Sequence, residues 1–127
     1  MARILIVDDE TGIVKVLKEM LVRLGYEVLT SAGGKEALEK LSIGGVDLVL
    51  TDIVMPNVDG LELISNIQTA YPRVKVVAIS GGGAQEGPDV YLKDARKLGA
   101  DRCLTKPFML KELAAVVKDL LEETVGD

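Results

Sequence analysis

Short apolar runs rich in β-branched residues alternate along the chain with longer segments that have helical spacing. The apolar runs lie at 4–7, 28–29, 46–50, 74–79 and 103–104. A strand covered on both faces needs nearly continuous hydrophobicity, because neither face can carry polar side chains. The alternation therefore predicts an α/β fold, a (βα)₅ unit whose parallel sheet is covered by helices on both faces and joined by right-handed crossovers.

The segments between these runs carry apolar residues three or four positions apart, the spacing of an amphipathic helix. The predicted helices cover the stripes Ile13–Leu24, Leu61–Ile67, Tyr91–Leu98 and Leu110–Leu121, with a shorter one at Glu36–Leu41. Gly25 and Gly99 follow two of these stretches, where a glycine commonly ends a helix. With 127 residues and no linker-like tract, the chain is expected to form one domain over residues 1–127.

The composition excludes several function classes. The chain has a formal net charge of -5 and contains no histidine. A general nucleic-acid-binding surface needs an excess of basic residues, so no nucleic-acid partner is expected. Without histidine, a metal site would be built from oxygen ligands, which suit Mg²⁺ or Ca²⁺ better than Zn²⁺.

Two features indicate a cytoplasmic protein. Cys103 is the single cysteine, so no internal disulfide can form and a reducing compartment is the simplest setting. The apolar run Ile4–Val7 near the N-terminus has only four residues, too few for the core of a signal peptide or for a membrane span. We therefore expect a cytoplasmic location without a membrane partner.

Polar residues follow the predicted strands at the edge of the sheet where open α/β folds bind their ligands. After the first strand come Asp8, Asp9 and Glu10, the third ends at Asp52, the fourth at Ser80 and the fifth at Lys106. Each of these alone has a plain structural explanation, such as a helix cap, a turn or a flexible loop. Their joint placement at strand ends favours a shared site instead.

This set of residues suits phosphoryl transfer. Carboxylates that are brought together repel one another unless a cation neutralises them, and Mg²⁺ is bound by such oxygen ligands. Asp52 would then be a nucleophile toward phosphorus. Lys106 and the hydroxyl of Ser80 would neutralise and hold the phosphoryl oxygens, since this reaction needs mainly positioning and charge neutralisation.

The motifs resemble those of the CheY-like receiver domains of two-component response regulators, over essentially the whole chain. The resemblance is carried by the segments Ile4–Glu10, Asp52–Gly60, Ser80–Gly81 and Leu104–Phe108. CheY has a flavodoxin-like sheet with strand order 2-1-3-4-5, so the resemblance implies that order here.

The resemblance also implies roles at the phosphorylation site. Asp52 resembles the phosphoacceptor that receives the phosphoryl group from a sensor histidine kinase or a phosphotransfer protein. Ser80 and Lys106 resemble the hydroxyl and the lysine that hold this group. By this resemblance the chain modifies itself and is not an enzyme with a separate substrate.

A metal site is implied by the same resemblance. Asp9 is expected to be the main Mg²⁺ carboxylate, with help from Asp8, Asp52 and the backbone carbonyl of Val54. Mn²⁺ is an alternative ion. The Lys106–Pro107 peptide is expected to be cis, a form that only an X-Pro bond adopts at low cost.

The output of the domain is less defined by the sequence. Receivers usually carry an aromatic residue three positions before the lysine, where this chain has Cys103. No effector domain is expected within residues 1–127, so a downstream effector domain or protein is expected as a partner. The switch surface is expected on the last two helices and the fifth strand, where phosphorylation would favour a homodimer.

Three alternative functions compete with that of a phosphorylated receiver. A phosphohydrolase of the haloacid dehalogenase type would carry a second aspartate where this chain has Val54. A P-loop would carry Ser or Thr after Lys35, where the chain has Glu36. The third alternative is a degenerate receiver that acts as a phosphorylation-independent interaction module.

Overall fold

The structure is a computed structural model that describes residues 2–53, 60–80, 96–97, 99–106 and 108–125. Val54, Gly81 and Pro107 lie outside these ranges, so the predicted metal-binding carbonyl and the predicted cis peptide lie outside the described residues. Most of the predicted helix at Tyr91–Leu98 also lies outside them, and its residues 96 and 97 are helical.

Strands and helices alternate along the described chain as the sequence pattern predicts. The strands are β1 (Arg3–Val7), β2 (Glu27–Ser31), β3 (Leu48–Asp52), β4 (Lys75–Ser80) and β5 (Arg102–Thr105). The longer helices within the described residues are α1 (Thr11–Arg23), α2 (Gly34–Ile43), α3 (Gly60–Ala70) and α4 (Leu110–Val125). Gly25 follows α1 with a φ of +97°, and Gly99 has a φ of +122°, the left-handed backbone expected of a glycine at the end of a helix.

The five strands form one sheet in the order β2-β1-β3-β4-β5. All four neighbouring pairs are parallel. The predicted α/β class and strand order 2-1-3-4-5 are therefore confirmed. Because the strands are parallel, the residues that follow β1, β3, β4 and β5 meet at one edge of the sheet.

The core lies in two layers, one on each face of the sheet. Alternate residues of β1 point to opposite faces, so Leu5 and Val7 join one buried cluster while Ile4 and Ile6 join the other. The first cluster packs the sheet against α2 and α3, and the second packs it against α1 and α4. This double cover explains why the central strands have no polar face.

The bounds of β3 differ from the predicted run at 46–50. Asp47 and Arg3 form a reciprocal pair, in which the Arg3 N–H donates to Oδ2 of Asp47 and the Asp47 N–H donates to the Arg3 carbonyl, each at 2.8 Å. The strand therefore begins after this pair, at Leu48. It continues through Thr51 and Asp52, which are polar but buried, and this continuation brings Asp52 to the edge of the sheet.

Candidate functional site

Asp8 follows β1 at the edge of the sheet and is buried. Its backbone N–H donates to the carbonyl of Ser31 at 3.1 Å, and its Oδ1 accepts a hydrogen bond from the Glu10 N–H at 2.9 Å. Glu10 is the N-cap residue of α1, and its side chain makes no capping hydrogen bond. The carboxylate of Asp8 thus shapes the turn into α1 and keeps its second oxygen, Oδ2, directed toward the site.

Asp52 is the last residue of β3, and its side chain is 7% exposed. The residues before and after Asp52 make hydrogen bonds that fix its backbone. The Thr51 hydroxyl donates to the Asp52 carbonyl at 3.0 Å, and the Ile53 N–H donates to the carbonyl of Ile79 in β4 at 2.9 Å. The backbone that carries the Asp52 carboxylate is therefore tied to the central strands of the sheet.

Lys106 follows β5 and brings a positive charge to these carboxylates. Its Nζ lies 3.6 Å from Oδ2 of Asp8, 3.6 Å from Oδ2 of Asp52 and 3.9 Å from Oε1 of Glu10. The Lys106 side chain is 18% exposed, so these ion pairs are only partly screened by water. Lys106 is positioned by the pairing of β5 with β4, in which Ser80 is opposite Thr105.

The carboxylates of Asp8, Glu10 and Asp52 form one cluster, which we call the acidic triad. Their ligand oxygens lie within 4.8 Å of one another. Lys106 is within ion-pair distance of all three and compensates one of their three negative charges. The uncompensated negative charge and the all-oxygen donor set fit a hard divalent cation such as Mg²⁺.

The triad differs in one residue from the three carboxylates that the resemblance implies, which are Asp8, Asp9 and Asp52. Asp9 is exposed and is not among the three carboxylates that lie together, whereas Glu10 is. In the sequence Glu10 is one of the acids after the first strand, but the family resemblance implies no role for it. The hydrogen bond from the Glu10 N–H to Asp8 supplies the reason, because this turn brings residue 10 beside residue 8.

An apolar groove of about 470 Å³ borders Lys106. It lies between the N-terminal parts of α1 and α4 and is lined by Ile13, Val16, Phe108 and Leu110. Val16 is 50% exposed and Leu110 is 42% exposed. Apolar side chains are thus accessible next to the charged site.

Comparison with known proteins identifies the family. The response regulator receiver domain family matches residues 4–118 of the chain. The chain belongs to this family. A receiver domain described as CheY-like, from Methanospirillum hungatei JF-1, has the same fold, with a TM-score of 0.90, 32% identity and coverage of 99% of this chain and 98% of that one. These matches favour the receiver interpretation over the phosphohydrolase and P-loop interpretations.

Relatives of this receiver are regulators and a sensor kinase. The DNA-binding transcriptional regulator NtrC of Azospirillum brasilense is 39% identical over 94% of this chain, which spans 24% of that protein. The sensor kinase CckA of Brucella abortus is 39% identical over 96% of this chain, which spans 13% of its length. The regulatory protein PhoP of Bacillus subtilis is 34% identical over 96% of this chain, which spans 49% of that protein.

The receiver thus corresponds to half or less of each of these relatives. None of the helices in the described parts of the chain has both the length and the apolar character that crossing a membrane requires.

Proposed function

We propose that this receiver accepts a phosphoryl group on the carboxylate of Asp52, in a Mg²⁺-dependent reaction, from a sensor histidine kinase or a phosphotransfer protein. The observation that carries the proposal is the position of Lys106, whose ammonium lies 3.6 Å from both Asp8 and Asp52 beside the acidic triad. Asp52 would be the nucleophile, the acidic triad would bind the cation, and Lys106 would be the positive partner for the phosphoryl oxygens.

The reaction would use groups of this chain in distinct roles. A carboxylate oxygen of Asp52 attacks phosphorus, and the bond from phosphorus to the donor breaks with its electron pair leaving on the donor. Lys106 then balances the charge of the phosphoryl oxygens, and the Ser80 hydroxyl donates a hydrogen bond to one of them. The burial of Asp52 limits the access of water to the resulting acyl phosphate.

The metal would be held by carboxylates of the triad. Asp8 and Asp52 are the buried members, and Glu10 adds a third carboxylate. Asp9 and the carbonyl of Val54 complete the set that the family resemblance implies. When bound, Mg²⁺ or Mn²⁺ supplies positive charge that allows a phosphoryl group to approach these carboxylates.

The partners follow from this role. The apolar groove beside Lys106 offers a docking surface for the kinase or phosphotransfer protein next to the reacting carboxylate. A downstream effector domain or protein would read the phosphorylated state, and a phosphorylation-dependent homodimer is one form of that output. The protein would be located in the cytoplasm. It would become phosphorylated itself and would not turn over a separate substrate. With a net charge of -5, it would not contact nucleic acid directly.

Intact-protein mass after incubation with acetyl phosphate tests the proposal. We expect the mass of the wild type to increase by one phosphoryl group with Mg²⁺ and to stay unchanged with EDTA. Asp52→Asn is expected to give no adduct, whereas Asp119→Asn, at an exposed position on α4, is expected to behave as the wild type.

A folded wild-type protein that gains no phosphoryl group, either from acetyl phosphate or from a phosphorylated histidine phosphotransfer domain, would overturn the proposal. That result would support the alternative of a degenerate receiver acting as an interaction module.

A further inference from the structure

Gly60, the first residue of α3, is buried against the backbone that carries Asp52. A β-carbon at residue 60 would lie 2.1 Å from the carbonyl oxygen of Asp52, 2.5 Å from Cα of Ile53 and 2.8 Å from the carbonyl oxygen of Ile53. All three distances are shorter than real β-carbons tolerate, and all three atoms belong to the backbone. Rotation of a neighbouring side chain could not relieve this contact.

The contacted backbone is held from other directions as well. The Ile53 N–H donates to the Ile79 carbonyl in β4, and the Ile53 carbonyl accepts a hydrogen bond from the Gly60 N–H at 2.8 Å. The Asp52 carbonyl accepts the Thr51 hydroxyl. The backbone of residues 52 and 53 is therefore fixed between β4 on one side and the start of α3 on the other.

We propose that Gly60 is a positioning residue for Asp52. Its missing side chain lets α3 pack directly on the phosphoacceptor's backbone and so fixes where the Asp52 carboxylate stands relative to Lys106 and Asp8. This inference rests on the proposed function of Asp52. A methyl group at residue 60 forces α3 and the end of β3 apart, and this displacement changes the 3.6 Å separation between Asp52 and Lys106.

The test compares Gly60→Ala with Gly33→Ala. Gly33 precedes α2, has an extended φ of -166° and has open space where a β-carbon would be added, so it is a matched control at the start of a helix. Both variants are first checked for folding by urea titration. Phosphorylation by saturating acetyl phosphate and Mg²⁺ is then measured by intact mass at a temperature at which they are folded.

We expect the maximal phosphorylation rate of Gly60→Ala to fall by about 10-fold to 100-fold, because displacements near 1 Å have effects of that order on reacting groups. Gly33→Ala is expected to keep the wild-type rate. A Gly60→Ala protein that is less stable but has the wild-type maximal rate in its folded state would overturn the inference. If Gly60→Ala is unfolded in buffer, trimethylamine N-oxide is added to restore the folded state, and both proteins are compared in that osmolyte.

A Mg²⁺ titration followed by amide NMR shifts separates this inference from the proposed function. We expect Gly60→Ala to bind Mg²⁺ more weakly than Gly33→Ala, whether or not phosphorylation occurs. A wild type that binds Mg²⁺ but is never phosphorylated would refute the proposed function alone. Unchanged Mg²⁺ affinity together with an unchanged rate in Gly60→Ala would refute the positioning role alone.

Discussion

The ammonium nitrogen of Lys106 lies 3.6 Å from Oδ2 of Asp52. The same nitrogen is equally close to Oδ2 of Asp8, which with Asp52 is one of the two buried carboxylates of the acidic triad. Lys106 therefore occupies the position of a cation among carboxylates that would also bind a metal. Its charge attracts phosphoryl oxygens but repels a divalent cation, and these two effects can be separated by mutation.

Replacement of Lys106 by Met is expected to strengthen Mg²⁺ binding and to slow phosphorylation. Removal of one positive charge a few ångströms from the triad lowers the repulsion of the ion, so we expect Mg²⁺ to bind about 3-fold to 10-fold more tightly. Calorimetric Mg²⁺ titration and the acetyl phosphate reaction measure the two effects. Lys18→Met, at an exposed position on α1, is the control. Weaker Mg²⁺ binding by Lys106→Met would contradict the prediction.

The Asp52→Asn variant is expected to be more stable than the wild type in EDTA. Among the described residues, the Asp52 carboxylate faces two other carboxylates and one ammonium, and it is buried. We therefore expect loss of its charge to remove more repulsion and desolvation than attraction. We expect a gain of about 1 kcal/mol in the free energy of unfolding.

Saturating Mg²⁺ is expected to reduce or reverse that difference. The wild type binds the ion more tightly and is therefore stabilised more by it. Urea unfolding in EDTA and in Mg²⁺ measures both values for each protein. A wild type that is the more stable protein in EDTA would show that the triad is not repulsive.

Glu10→Gln is expected to weaken Mg²⁺ binding by about 2-fold to 5-fold at low ionic strength. The effect is modest because the Glu10 side chain is 60% exposed and its charge is screened by water and salt. The difference should shrink at high salt. Glu39→Gln, at an exposed position on α2, is the control, and equal Mg²⁺ affinity for both variants would remove Glu10 from the metal site.

Glu36 is expected to contribute a small part of the loss in the free energy of unfolding at acidic pH. The Ala32 N–H and the Lys40 side chain lower the pKa of Glu36 below its ordinary value of 4.5. Because the folded-state pKa is the lower one, this stabilisation is present above pH 4.5 and is lost as the pH falls through the folded-state pKa.

The comparison of Glu36→Gln with the wild type measures this contribution. Urea unfolding at neutral and acidic pH should show the wild type more stable at neutral pH and the two proteins closer at acidic pH. If the stability advantage of the wild type over Glu36→Gln grew as the pH fell, the prediction would be contradicted.

Local patterns predicted some elements well and others only in part. The central strands were readily predicted because both of their faces are buried, which leaves continuous apolar runs. The apolar pattern indicates the edge strand β2 only at Val28 and Leu29, although the strand extends over Glu27–Ser31. Its partly exposed residues include polar ones, so its hydrophobic signal is short. The start of β3 depends on the pair of Asp47 with Arg3, which are 44 positions apart in the chain.

The sequence determines the order of strands and helices and the cover on both faces of the sheet, because burial is reflected locally in residue type and spacing. It also determines which edge of the sheet carries Asp8, Asp52 and Lys106. The sequence does not determine which carboxylates form the acidic triad, since Glu10 joins it through a turn held by Asp8. The distance from Lys106 to Asp52 and the contact of Gly60 with Asp52 are also set by tertiary packing. They depend on strand register and on how closely α3 approaches β3, which are relations between distant segments that no local pattern records.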